Sequence, residues 1–154
     1  MIINTLMKSQ LEKINRSCFK GLSLPFELKK IIDQGFIDKN HSILSVYLLN
    51  YCGSVSQSNF EDEIAYECFV NSFHMEDYVE NHFIEYSIFF TNELIKKWKK
   101  LRSEDLNVII SLDDESLLPK IKFHVKRYEQ EWLAENELES YIQPILITTQ
   151  TINI

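Results

Sequence analysis

Glycine is scarce in this sequence, with three in 154 residues, and proline and cysteine are no commoner, with three of each. Gly21, Gly35 and Gly53 form neither GxGxxG nor a P-loop, and there is no GxSxG elbow. Phosphate cradles need glycine backbone that lets the anion approach closely, so nucleotide binding by those routes is excluded. Cys18, Cys52 and Cys68 form no CxxC pair and cannot all be bridged within the chain. They read as small core hydrophobes in a reducing compartment. Glu67 beside Cys68 opposes thiolate formation, the reverse of what a reactive cysteine needs. No apolar run is long enough to span a bilayer. Residues 1–8 are apolar first and basic only at Lys8, inverting the charge order of a secretory signal. A cytosolic protein is expected.

What the chain does have is apolar mass: 45% hydrophobic and 12% aromatic residues, enough to bury one core. One domain over residues 1–154 is expected. Nineteen Ile, eleven Asn and thirteen Lys stand against two Ala and three Arg. That bias towards AT-rich codons suits an AT-rich genome or a mobile genetic cassette.

The net charge of −7 is unevenly spread. Residues 51–90 hold eight acids, Glu61, Asp62, Glu63, Glu67, Glu76, Asp77, Glu80 and Glu85, and no Lys or Arg. Residues 128–154 hold five more, Glu129, Glu131, Glu135, Glu137 and Glu139, again with no base. A solvated face partnered by the Lys-rich segments is one reading. An acidic surface held ready for a basic partner is the other, and such a surface repels nucleic acid.

Periodicity predicts a helix over residues 4–19, from Met7, Leu11, Ile14 and Cys18, ended by Gly21. A second helix follows, with Ser23 as cap, Pro25 in its first turn and Gly35 past its end. Residues 43–52 fit a strand or a buried helix. Residues 60–73 favour a helix, with a capping box of Ser58 and Glu61, although Ile64, Tyr66, Cys68 and Val70 alternate like a strand. Ile84, Tyr86, Ile88 and Phe90 alternate and predict a strand over 82–90. A helix capped by Thr91 then runs to residue 101, facing inward with Leu94, Ile95, Trp98 and Leu101. Its lysines sit at the C-terminal end, where the helix dipole favours them. A hairpin follows: residues 106–112, a turn at 113–116, and a return strand with Ile121, Phe123 and Val125 on one face. Lys120, Lys122, His124 and Lys126 are expected on its solvent face. A last helix over 129–142, stopped by Pro144, and a strand over 145–149 complete the chain. The expected fold is α+β, an antiparallel sheet of four or five strands with N-terminal helices and two further helices packed on it.

Chemistry is sparse. His74 and His82 lie among carboxylates near Cys68, the raw material of a small metal-dependent enzyme, but no HExxH or paired CxxC spacing is present. Ordinary imidazoles are the expectation, with no cofactor and no catalytic group. Tyr66, Phe69, Phe73 and Tyr78 thread the acidic segment as core residues or as interface anchors. An acidic nucleic-acid mimic acting as an adaptor is a further alternative.

Two segments, SIFFTNELIKKWKKLRSEDLNVIISLDD (residues 87–114) and KIKFHVKRYEQEWLAENELESYIQPILITTQ (residues 120–150), resemble small immunity proteins of bacterial polymorphic toxin systems, particularly the CdiI proteins of contact-dependent growth inhibition. The likeness lies in a hairpin, an EWL-type start (Glu131, Trp132, Leu133) to a short acidic helix, and a closing Ile/Leu-rich strand. It implies a non-enzymatic cytosolic protein that neutralises a cognate toxin's C-terminal domain, commonly a basic nuclease. A patch mimicking the negative field of RNA or DNA is one physical route to that neutralisation. Glu61, Asp62, Glu63, Tyr66, Glu67, Glu76, Asp77, Glu80 and Glu85 are the candidate surface.

Overall fold

The computed structural model describes residues 1–154, and its chain opens with a two-residue strand, β1 (Ile2–Ile3). Asn4 ends that strand and caps α1 (Thr5–Leu11), its Oδ1 accepting from the Met7 N–H at 3.0 Å. The same buried oxygen accepts from the Ile145 N–H at 2.9 Å, and its Nδ2 donates to the Gln143 carbonyl at 2.8 Å. One side chain therefore joins the two ends of the chain. The helix expected over 4–19 stops at Leu11. Asn15 restarts the backbone as a 3-10 turn, Arg16–Gly21, by accepting from the Ser17 N–H at 3.1 Å. Asn competes well for backbone donors, which makes it a poor mid-helix residue.

Pro25, not Ser23, occupies the N-cap position of α2 (Phe26–Asp33), without a side-chain cap, and the helix buries Leu28, Ile31 and Ile32. Gly35, at φ +75°, then turns the chain into β2 (Phe36–Lys39), paired with β3 (Ser42–Ser45) in a separate two-stranded ribbon. Residues 43–52 thus contain both readings, since β3 passes directly into the single turn α3 (Val46–Leu49), capped by Ser45. Next comes α4 (Glu63–Val70), where Asp62 is the cap, accepting from the Ala65 N–H at 2.7 Å. Ser58 and Glu61 form no capping box there. β4 (Ser72–His74) follows at once.

The strand expected over 82–90 is the first half of α5 (Phe83–Leu101). Its buried positions are Glu85, Ser87, Ile88, Phe90, Thr91, Leu94, Ile95 and Trp98. Ser87 and Thr91 carry the helical period without hydrophobicity, so the apolar residues alone imitate alternation. Leu94, Ile95 and Trp98 face inward as expected, whereas Leu101 is exposed.

β5 (Leu106–Leu112), β6 (Pro119–Val125) and β7 (Ile145–Thr148) complete an antiparallel sheet ordered β1-β7-β5-β6-β4. The five-stranded α+β fold agrees with the sequence reading. Leu106, Val108, Ile110, Leu112, Ile121, Phe123 and Val125 point into the main core with α5 and α2. Ile109, Ile145 and Ile147 point to the opposite face, which residues 128–142 cover with Leu133, Leu138 and Tyr141.

That cover is not the expected α-helix. It is an irregular strap with a 3-10 turn, Glu135–Ser140, and Glu129 at φ +58°. An α-helix would align Glu131, Glu135 and Glu139 at i, i+4 spacing with no lysine among them, and like charges so placed repel. The strap overturns the expectation for the return strand, because His124 is buried beneath it rather than solvated. Lys122 is half-buried, with its ammonium 5.4 Å from the centre of the Trp132 ring.

Burial first, and neighbouring Lys120 second, push the Lys122 ammonium down to about 8. The unfolded chain therefore holds that proton more tightly than the folded one. The destabilising cost is full below about 8 and vanishes as the pH rises past 10.5, the ordinary lysine value. Urea denaturation at about pH 7 and about pH 10 should show the parent protein gaining stability relative to Lys122→Met across that interval. Parallel curves for the two proteins would contradict the burial of this ammonium.

Candidate functional site

The acidic segment does not form one surface. Glu67 is fully buried on α4. Its Oε1 accepts from Arg127 Nη1 at 2.6 Å and the Val125 N–H at 3.0 Å. Its Oε2 accepts from Arg127 Nη2 at 2.9 Å and the Ile43 N–H at 2.9 Å. One turn on, Asn71 accepts from the Ser45 N–H at 2.7 Å and donates to the Ile43 carbonyl at 2.9 Å. Together the two side chains satisfy the free edge of β3 and pin it to the end of β6. Tyr66 is fully buried beside Leu44 and Val70, its ring stacked on Phe60. Glu85 is buried at the start of α5, where it accepts from the Asn15 N–H at 3.0 Å. Asp62 is the cap of α4. Glu67, Tyr66 and Glu85 are therefore removed from the candidate docking surface: they hold the fold.

Glu61, Asp77 and Glu80 remain exposed, and Glu63 and Glu76 are half-exposed. They do not gather in one place. Glu61, Asp62 and Glu63 rim a shallow hollow at the N-terminus of α4 with Asn40 and Phe60. Asp77 belongs to a larger groove of about 560 Å³ between α3, the end of α4, β4 and the Met75–Asp77 turn.

The sequence did not single out this groove. Tyr47, Tyr51, Phe69, Phe73 and Tyr78 supply its aromatic walls, and Glu27 and Asp77 its carboxylates. No lysine or arginine lines it. Glu27 reaches it from α2, accepting from Tyr47 Oη at 2.8 Å, while Tyr51 Oη donates to Tyr47 Oη at 3.5 Å. The Tyr51 hydrogen bond, burial and the nearby carboxylate all hold the Tyr47 phenol in its protonated form, well above the usual tyrosine value. Lys30 and the Tyr47 hydroxyl keep the Glu27 carboxylate ionised by donating to it, holding its pKa below the usual glutamate value, with Tyr47 the larger cause. Tyr51 and Phe69 stand on the rim at 72% and 46% exposure, large apolar surfaces left in water. Tyr47 and Tyr51 lie four residues apart on one turn, a spacing the sequence offers, but Glu27 and Asp77 join them only through the fold.

The two histidines do not share a site. His74 lies on the groove and pairs with Glu76 at 3.6 Å. His82 sits beside Cys18 and Glu85. Of the cysteines, Cys68 is a core residue whose thiol burial pushes up to about 12. Cys18 and Cys52 are half-buried. No helix is long and apolar enough to cross a membrane.

The separation of structural from exposed carboxylates is measurable. Removing one partner of a buried ion pair strands the other charge, so Glu67→Ala should cost about 3–5 kcal/mol in chemical denaturation. Glu61→Lys and Glu80→Lys should each change stability by less than about 0.5 kcal/mol. Equal effects at all three positions would contradict the division.

No solved structure matches the chain. A similar protein is the Uncharacterized protein PM0498 of Pasteurella multocida (strain Pm70), 28% identical over 156 residues, which span 94% of this chain and 96% of that one. The model of the Uncharacterized protein PM0498 family matches residues 2–154, and the chain belongs to that family.

Proposed function

We propose that the chain is a binding protein, without catalytic activity, that takes a basic protein partner on the face carrying the aromatic groove. The observation that carries this reading is the composition of that groove: five aromatic side chains from tyrosine and phenylalanine and two carboxylates, with no lysine or arginine in its lining. A guanidinium or ammonium entering such a space meets ring faces that attract cations and carboxylates that neutralise it. Exposed Tyr51 and Phe69 have the size and position of interface anchors. Glu27 and Asp77 supply a negative field at the groove itself, and exposed Glu61, Glu63 and Glu80 add to the overall negative field that draws a basic partner to the molecule.

The resemblance to immunity proteins of toxin systems supplies the partner's class. The reading is an immunity protein that neutralises a basic nuclease-type toxin domain in the bacterial cytosol. The acids that serve it are the exposed ones, and Glu67, Tyr66 and Glu85 serve it only by building the surface.

The immunity reading predicts that a large secreted protein is encoded beside this gene, and the test uses the C-terminal domain of that protein. The chain should bind that domain and protect cells that express it. Tyr51→Ala and Phe69→Ala should each cost about 2 kcal/mol, roughly thirtyfold in Kd. Asp77→Lys should slow association and flatten its salt dependence. A folded Tyr51→Ala, Phe69→Ala, Asp77→Lys triple variant that binds and protects like the parent contradicts the groove as the docking site. A neighbour whose toxin domain is not bound contradicts the immunity reading itself.

A further inference from the structure

Away from the groove, the start of α5 meets the Arg16–Gly21 turn, and three side chains of metal-binding type converge there. Cys18 Sγ, an imidazole nitrogen of His82 and a carboxylate oxygen of Glu85 all lie within 4.8 Å of one another. Chain segments some sixty residues apart supply them, so the fold and not local sequence makes the cluster.

The carboxylate is the telling member. Glu85 is more than nine-tenths buried, accepts one hydrogen bond, from the Asn15 N–H, and forms no ion pair. A carboxylate withdrawn from water needs a compensating positive charge, and the N-terminal end of α5 supplies only a partial one. The fold answers the same need at Glu67 with Arg127. At Glu85 the neighbours offered instead are a thiol and an imidazole. The Asn15 N–H holds the carboxylate in place, as outer partners hold metal ligands. His82 is held at φ +52°, a left-handed conformation that strains a non-glycine residue.

From this convergence we propose that Cys18, His82 and Glu85 form a divalent metal site suited to zinc, with water completing a tetrahedron. One sulfur, one nitrogen and one oxygen are the donors a borderline-soft ion accepts together. In a tetrahedral zinc site, with bonds of about 2.0–2.3 Å, ligand atoms stand roughly 3.3–3.7 Å apart. Rotation of the exposed His82 side chain and a small movement of Cys18 close the remaining gap. The ion would tie the Arg16–Gly21 turn to the head of α5. The site is independent of the docking groove and stands whether or not the immunity reading does.

The test is a titration of the full-length, chelator-stripped chain with Co²⁺, read by absorption, followed by competition with Zn²⁺. The expected result is one equivalent bound, with thiolate-to-cobalt charge transfer and the intense visible bands of tetrahedral cobalt. Cys18→Ser should abolish the charge-transfer band, and Glu85→Gln should weaken binding at least tenfold. His82→Gly serves as the second variant, since glycine accepts the positive φ: it should keep or raise the melting temperature of the stripped protein while losing the rise that Zn²⁺ gives the parent. No thiolate band at stoichiometric Co²⁺ overturns the proposal. So does a band that persists in Cys18→Ser, which would assign the metal to another cysteine, or a full Zn²⁺ response in His82→Gly.

Discussion

The carboxylate of Glu67 is the fixed point around which the molecule is arranged. It is fully buried, and four donors fill its two oxygens: both arms of Arg127 and the backbone amides of Ile43 and Val125. A buried ion pair rarely adds much stability over an apolar pair, because desolvation offsets the attraction. Its value here is placement. The β2–β3 ribbon shares no ladder with the main sheet, and Glu67 with Asn71 supplies donors and acceptors where a neighbouring strand would. Arg127 closes the arrangement by also donating to the carbonyls of Val125 and His41.

The groove is a consequence of that clamp. Fixing β3 against α4 sets α3 opposite the end of α4, and the space between them receives Tyr47 and Tyr51 from one side and Phe69 and Phe73 from the other. The Met75–Asp77 turn brings Asp77 and Tyr78 to its edge. The charge of the acidic segment is thus divided by burial: Glu67 and Glu85 hold the scaffold from inside, Asp77 faces the aromatic hollow, and Glu61 and Glu80 face solvent outside it. The reading of the chain as a receptor for a basic partner rests on this division.

Much of the fold was legible in the sequence. The 106–112 and 119–125 hairpin was visible as alternation, the second helix by its caps and period, and the closing strand as a short apolar run after Pro144. Each failure has a physical cause. Ser87 and Thr91 sit in the core of α5 and hid its period, and Asn15 broke a helix whose apolar spacing continued past it. Residues 128–142 follow neither period, because the strap is shaped by the sheet face it covers. The same cover turned His124 from an expected surface residue into a buried one. The acids of residues 61–85 were readable as a charge imbalance but not as a surface. Nothing in their spacing distinguishes Glu67, which meets an arginine sixty residues away, from Glu63, which does not. The groove and the cysteine–histidine–glutamate cluster are products of tertiary juxtaposition and left no local signature.

Amide hydrogen exchange of the free chain, and of the chain mixed with the basic domain proposed as its partner, tests the division of labour most directly. The account predicts that the amides of Ile43, Ser45 and Val125 exchange slowly in both states, since Glu67 and Asn71 hold them through global unfolding only. It predicts that binding slows exchange across residues 47–52 and 69–78, the walls of the groove. Rapid exchange at Ile43 and Val125 in the free chain, with binding protection confined to residues 128–142 or to the lysines of α5, would contradict it.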